Sequence, residues 1–265
     1  MDPAASPSTV GAMQIHGSTI LLTGASGGLG HAIARDLHQR GAHLVLTARR
    51  AEVLDELAAE IDAEVLVADL NDRADVERVA ARAATCDVLV ANAGIGDDPA
   101  LDDLTTDAID QALEVNLRAP IVLSHAFATA KIAAGHHGGI VLVGSLAGLA
   151  ASPGTRMYNA TKFGLRGFAL AFVQELEGSG VTCSLVAPGF IRDAGMFHDG
   201  GIDLPPGVRT KSPEDVAEGV ATAIVDAPTE VFVSPIELRA ASTLATVAPA
   251  LSAMIQRKLN VAERR

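Results

Sequence analysis

The feature that most constrains this chain is an alternation of two patterns. From residue 18 onward, short apolar runs alternate with longer amphipathic stretches. The runs lie at residues 19–22, 44–47, 64–68, 88–91, 140–143, 182–186 and 231–233. They are continuously apolar, the pattern of strands covered on both faces. The stretches between them lie at residues 28–40, 51–61, 73–83, 106–133, 155–177 and 213–226. Strand and helix repeated at this spacing predict right-handed crossovers. The expected architecture is α/β, with a doubly wound, mostly parallel seven-stranded sheet and helices on both faces. Ser212-Pro213-Glu214-Asp215 marks one helix start, with a hydroxyl at the cap, Pro first and an acid third.

Composition narrows the function. The chain has 265 residues and no compositional break, so residues 16–265 are expected to form one domain behind a disordered tail at residues 1–15. That start has neither a basic region nor an apolar core, so it does not read as a secretory leader. Residues 240–255 come nearest to a membrane span, and Pro249 interrupts them. Lys plus Arg number 20 against 32 Asp plus Glu, a net charge of −12, which argues against nucleic acid or an anionic membrane as partner. Cys86 and Cys183 are too few for a disulfide framework or zinc cluster. Together these features predict a cytoplasmic protein. His136-His137 sit between glycines with no partner at ligand spacing, so no metal is expected.

The first run ends in Thr23-Gly24-Ala25-Ser26-Gly27-Gly28-Leu29-Gly30. Glycines allow a sharp turn and let backbone N–H groups approach a diphosphate, and the following helix points its positive end there. After a first strand and before a helix, this turn is a candidate dinucleotide site formed by Gly24, Ser26, Gly27, Gly28, Leu29 and Gly30. The second run ends Leu46-Thr47-Ala48-Arg49-Arg50. An acid usually stands here to bind the ribose 2′-hydroxyl of NAD. Ala48 replaces it, and the guanidinium of Arg49 suits a 2′-phosphate, so NADP(H) is favoured over NAD(H). Arg50 also reads as a solvated helix start.

Tyr158 and Lys162 stand four apart at the start of a helical stretch and share a face. A free phenol titrates near about 10, too high for acid–base work at neutral pH. A neighbouring ammonium is expected to lower it. Tyr158 is the only Tyr in the chain. Ser145 follows the fifth run, at the strand end where such sheets bind ligands. Asn116 falls inside a helical pattern that Asn disfavours, which suggests a local role.

In this order and spacing, these motifs resemble the short-chain dehydrogenase/reductase family, in its compact branch, over about residues 17–235. The glycine motif carries the resemblance, with Asp69, Asn92-Ala93-Gly94, Asn116, Ser145, the Tyr158/Lys162 pair and Pro188-Gly189. The resemblance implies a Rossmann-type fold and a catalytic set of Asn116, Ser145, Tyr158 and Lys162. It implies that Asp69 and the Leu70 backbone contact adenine, and that Asn92, Ala93 and Gly94 border the cofactor. It further implies that Lys162 holds the nicotinamide ribose, that Asn116 holds a water linking Lys162 to solvent, and that Pro188, Gly189 and Ile191 meet the nicotinamide. Asp193 stands where the family often has Thr, and Ala91 where it often has Asn.

The expected activity is interconversion of a ketone or aldehyde with an alcohol, Tyr158 acting as general acid/base. Phe190, Met196, Phe197, Ile202 and Leu204 in an expected lid at residues 190–211, with Leu146, Leu149 and Met157, suggest a lipophilic substrate. Residues 236–262 are expected to form a C-terminal helical extension. Phe163, Phe168 and Phe172 beside small residues suggest a helix shared between copies, in a homodimer or homotetramer. The rival reading is an NADP(H)-binding sensor or scaffold without turnover.

Overall fold

The computed structural model describes residues 13–96, 99–193 and 209–258. Seven strands form one sheet: β1 (Thr19–Thr23), β2 (His43–Ala48), β3 (Glu64–Val67), β4 (Val88–Ala91), β5 (Gly138–Val143), β6 (Val181–Pro188) and β7 (Glu230–Val233). Their order is β3-β2-β1-β4-β5-β6-β7, and every pairing is parallel. The order reverses between β1 and β4, which opens a crevice at their carboxyl ends, where such sheets bind ligands.

The nine α-helices of the described residues are α1 (Gly28–Gln39), α2 (Ala51–Ile61), α3 (Arg73–Ala83), α4 (Thr106–Leu113), α5 (Ala119–Ala134), α6 (Arg156–Glu175), α7 (Pro213–Val225), α8 (Ile236–Val247) and α9 (Pro249–Lys258). Successive strand residues serve opposite layers, as the pleat requires. Ile20 and Leu22 pack with Ile33 and Leu37 of α1, Leu54 of α2 and Val220 of α7. Leu21 packs on the other face with Val79 of α3, Phe127 of α5 and Leu165 of α6. Each fully buried Leu or Ile contributes about 1.5–3 kcal/mol. Ser212 caps α7 in the expected capping box with Asp215.

Several expectations need correction. The edge strands β3 and β7 are only half-covered, because each lacks a neighbour on one side. The single helix expected at residues 106–133 is α4 and α5 joined by a π-helical turn, Glu114–Arg118. Residues 13–15, placed in the expected tail, join the fold: Ile15 is buried in the core and Met13 N–H donates to Ile224 O at 3.3 Å. The described part of the expected C-terminal extension, residues 236–258, is two helices divided before Pro249. Residues 1–12 and 259–265 lie outside the described residues, as do Met196, Phe197, Ile202 and Leu204. The described ends of the expected lid meet in a parallel bridge between Ile191 and Lys211. Cys86 and Cys183 are buried free thiols. Among the described residues, no helix is long and apolar enough to cross a membrane.

Candidate active site

The glycine turn is built by close backbone approach. Gly24 has φ +67°, and a Cβ there would lie 2.7 Å from Ala93 Cα. At Gly30 a Cβ would lie 2.3 Å from Gly24 O. Gly27 precedes α1 with extended backbone, no side chain caps the helix, and its first turn holds no acid. Gly27 and Gly28 are exposed, so the first N–H groups of α1 and its positive end face solvent. That donor set fits a diphosphate.

Asn92 and Ala93, after β4, are tied to this turn through Thr23, a residue the sequence reading missed. Thr23 Oγ1 accepts from Asn92 N and Ala93 N, each at 3.0 Å. Asn92 Nδ2 donates to Thr23 O at 3.0 Å and to Gly24 O at 3.3 Å. The signal was a hydroxyl closing an otherwise apolar strand. Gly94 follows, half-buried.

The two arginines after β2 part company. Arg50 Nη2 donates to Ser26 O and lies 3.3 Å from Ser26 Oγ, so it braces the glycine turn. Arg49 is exposed and makes no hydrogen bond or ion pair among the described residues. Asp69 Oδ1 accepts from Asn71 N at 3.0 Å, and Leu70 is buried. His31 lies in the second turn of α1, and its Nε2 is enclosed without a hydrogen-bond partner. Burial, then Arg35 and Arg50, lower its pKa.

Pro188 ends β6, Gly189 N donates to Val233 O at 3.0 Å, and Ile191 is buried. Asp193 is exposed, has φ +67°, and sets Oδ2 3.3 Å from Arg192 Nε. The carboxylate at the usual Thr position is thus drawn toward a neighbouring cation.

Asn116, Ser145, Tyr158 and Lys162 come together at the carboxyl ends of β4 and β5. Asn116 occupies the π-helical turn, almost wholly buried. Its Oδ1 accepts from Ile95 N and its Nδ2 donates to Ile95 O, both at 2.7 Å. The same Nδ2 lies 3.3 Å from Thr161 Oγ1, which donates to Tyr158 O at 2.9 Å. The extra residue of the π turn aims Asn116 at the chain leaving β4. Ser145 Oγ accepts from Ala147 N at 3.1 Å, and its hydroxyl hydrogen-bonds the Tyr158 phenol. Lys162 is buried, with Nζ 3.0 Å from Val143 O and 5.7 Å from the Tyr158 ring centroid.

The expected lowering of the phenol pKa is reversed. Burial of the Tyr158 hydroxyl pushes its pKa up, against a smaller downward pull from the Ser145 hydrogen bond. Burial also brings Lys162 down to about 8. A surrounding of low polarity penalises phenolate and ammonium alike, and burial is the largest cause of both shifts. The cluster therefore holds a protonated phenol at neutral pH beside an amine poised to titrate.

Of the three phenylalanines of α6, Phe172 is buried, Phe168 stacks on it at 4.9 Å, and only Phe163 is exposed. Among the described residues, no group of three or more His, Cys, Asp or Glu is placed to hold a metal.

The fold and this cluster define a dinucleotide-dependent oxidoreductase, and comparison with known proteins agrees. Residues 18–201 match the family model described as short chain dehydrogenase. The chain belongs to the short-chain dehydrogenase/reductase family and is an NAD(P)-dependent oxidoreductase of that family. It is 34% identical over 182 residues to a 3-oxoacyl-(acyl-carrier-protein) reductase FabG of Rickettsia bellii, covering 68% of this chain and 75% of that one. A metagenomic short-chain oxidoreductase in complex with NADP superposes with a TM-score of 0.70 at 35% identity, covering 84% of this chain and 99% of the other. A short-chain dehydrogenase from Sphingobium yanoikuyae in complex with NADPH gives 0.74 at 27% identity, covering 94% and 96%.

Proposed function

We infer that this protein is an NADP(H)-dependent reductase that interconverts a lipophilic ketone with a secondary alcohol, Tyr158 serving as general acid and base. The observation that carries this reading is the contiguous set of Ser145, Tyr158 and Lys162 beside an uncapped, glycine-lined helix start.

When bound, the nicotinamide supplies or accepts the hydride. In this reading Gly24, Ser26, Gly27, Gly28, Leu29 and Gly30 hold the diphosphate, and Arg49 meets the 2′-phosphate. Asp69 and Leu70 flank the adenine; Asn92, Ala93 and Gly94 border the crevice. Lys162 holds the nicotinamide ribose hydroxyls, and Pro188, Gly189 and Ile191 line the nicotinamide end. Ser145 donates a hydrogen bond to the substrate oxygen, where negative charge grows. Tyr158, kept protonated by burial, gives that oxygen its proton, and in the reverse direction takes one from the alcohol. Asn116 holds the chain after β4 against α6 and keeps Lys162 connected to solvent through water. The preference for NADP(H) rests on Arg49 and on solved relatives in complex with NADP or NADPH.

For the substrate, Leu146 and Leu149 are buried next to Ser145, and Met157 precedes Tyr158 half-buried. A relative named as a 3-oxoacyl reductase adds weight to a ketone on an apolar chain. The exposed Phe163 and Gly167 of α6 support pairing of two copies through that helix. The test is a panel of carbonyls and alcohols followed by nicotinamide absorbance with NADPH, NADH and their oxidised forms. We expect NADPH-dependent reduction of 3-oxo esters or bulky ketones. A preference for small charged sugars or acids would remove the lipophilic assignment.

A further inference from the structure

One buried side chain makes four contacts to the twelve-residue connection between Ser145 and Tyr158. Asn159, next to Tyr158, is buried, and its carboxamide uses every hydrogen-bonding position. Nδ2 donates to Ala147 O at 2.8 Å and to Ala150 O at 3.1 Å. Oδ1 accepts from Ser152 N at 3.1 Å and lies 2.7 Å from Thr155 Oγ1. The neighbours dictate the amide's orientation, since two carbonyls face its nitrogen and an N–H and a hydroxyl face its oxygen. No other side chain of this length offers two donors and two acceptors without charge. Asp would set an oxygen against both carbonyls; Ala would take their partner from two carbonyls and an N–H in a buried place, while the Thr155 hydroxyl keeps Ser152 O.

The contacts converge on Ser145. Ala147 carries the N–H that Ser145 Oγ accepts, and Gly148 N donates to Ser145 O at 2.9 Å. The carbonyl of Ala147 is thus held by Asn159 while its N–H holds Ser145. The same segment is pinned from the far side by Thr246 of α8, whose Oγ1 donates to Leu149 O at 2.9 Å.

We propose that Asn159 is a positioning residue that sets the Ser145 hydroxyl against the Tyr158 phenol. It acts through Ser145 without touching substrate. The proposal rests on the catalytic reading above for its effect on turnover, but its geometric content can be read without any substrate.

Tyr158 is the only Tyr and the chain has no Trp, so a carbon-13 label on the oxygen-bearing tyrosine carbon gives one resonance, already assigned. In the unliganded full chain, Ser145→Ala is expected to shift that resonance by removing its hydrogen bond. Asn159→Ala is expected to shift it in the same direction, and the double variant to add little to either single. Asn159→Asp is expected to recover part of the shift as the pH falls and its carboxyl regains one donor. With a substrate from the carbonyl panel, kcat is expected to fall about 10²-fold, the size of one lost oxyanion donor, with NADPH affinity unchanged. A folded Asn159→Ala or Asn159→Asp with the Tyr158 resonance unmoved overturns the proposal. Should both fail to fold, Thr155→Val removes one of the four bonds, and a smaller shift in the same direction is expected; no shift again overturns it. A resonance shifted as expected in the Asn159 variants, while the wild-type protein reduces no carbonyl, would sink the catalytic reading and leave the positioning role standing.

Discussion

Lys162 Nζ donates to the carbonyl oxygen of Val143 at 3.0 Å, tying α6 to the last residue of β5. The amine is buried on a neutral acceptor, and burial lowers its pKa from 10.5 to about 8. In the unfolded chain it titrates near its ordinary value. Between pH 8 and 10.5 the unfolded state therefore holds a proton that the native state lacks, and this group makes stability rise with pH. Below pH 8 its charge opposes folding by roughly 3 kcal/mol. Denaturant titrations across this window are expected to show the rise in the wild type and its absence in Lys162→Met. Reductase kcat/KM is expected to decline as the pH passes about 8, as the ammonium is lost.

In the proposed mechanism Tyr158 carries the proton and Ser145 orients the substrate oxygen, so their variants separate. Tyr158→Phe is expected to abolish turnover while fluorescence titration shows NADPH still bound. Ser145→Ala is expected to lose about 10²-fold in kcat with little change in cofactor affinity. Turnover retained in Tyr158→Phe would refute the acid–base assignment.

The arginines after β2 predict different phenotypes. Arg49 is unengaged, so Arg49→Ala is expected to weaken NADPH by about 10- to 100-fold and leave NADH unchanged, the size of a lost charge-assisted contact. Arg50 braces Ser26, so Arg50→Ala is expected to weaken both cofactors. Equilibrium binding of the two nucleotides to each variant distinguishes these outcomes.

Gly30 faces backbone that cannot retreat: a Cβ there would meet Gly24 O at 2.3 Å. Gly30→Ala is expected to cost about 1–3 kcal/mol and to lose cofactor binding, because the turn must open to admit the methyl. A thermal melt and a binding titration check both effects. Native stability and binding in that variant would mean the turn is looser than described.

The seven strands, their parallel sheet and the glycine turn were legible from sequence, because burial on both faces writes itself as apolar runs. The Ser212 cap was legible because its partner is three residues away. The π turn was not, since Asn116 is held by Ile95, which lies outside any local window. Arg50 read as a possible solvated helix start, and only the structure showed it folded over Ser26. Asn159 went unnoticed because its partners lie in a segment treated as mere connection, and Thr23 because its partners, Asn92 and Ala93, follow a strand distant along the chain.

The sequence by itself determined which groups are present: one phenol, an amine four residues on, a serine after the fifth strand and glycines at the first turn. Local chemistry and periodicity suffice for that, since they depend on neighbours along the chain. Only the tertiary structure decided their protonation. Packing the phenol and the amine away from water raised one pKa and lowered the other, an effect of surroundings assembled from β5, α6 and the π turn.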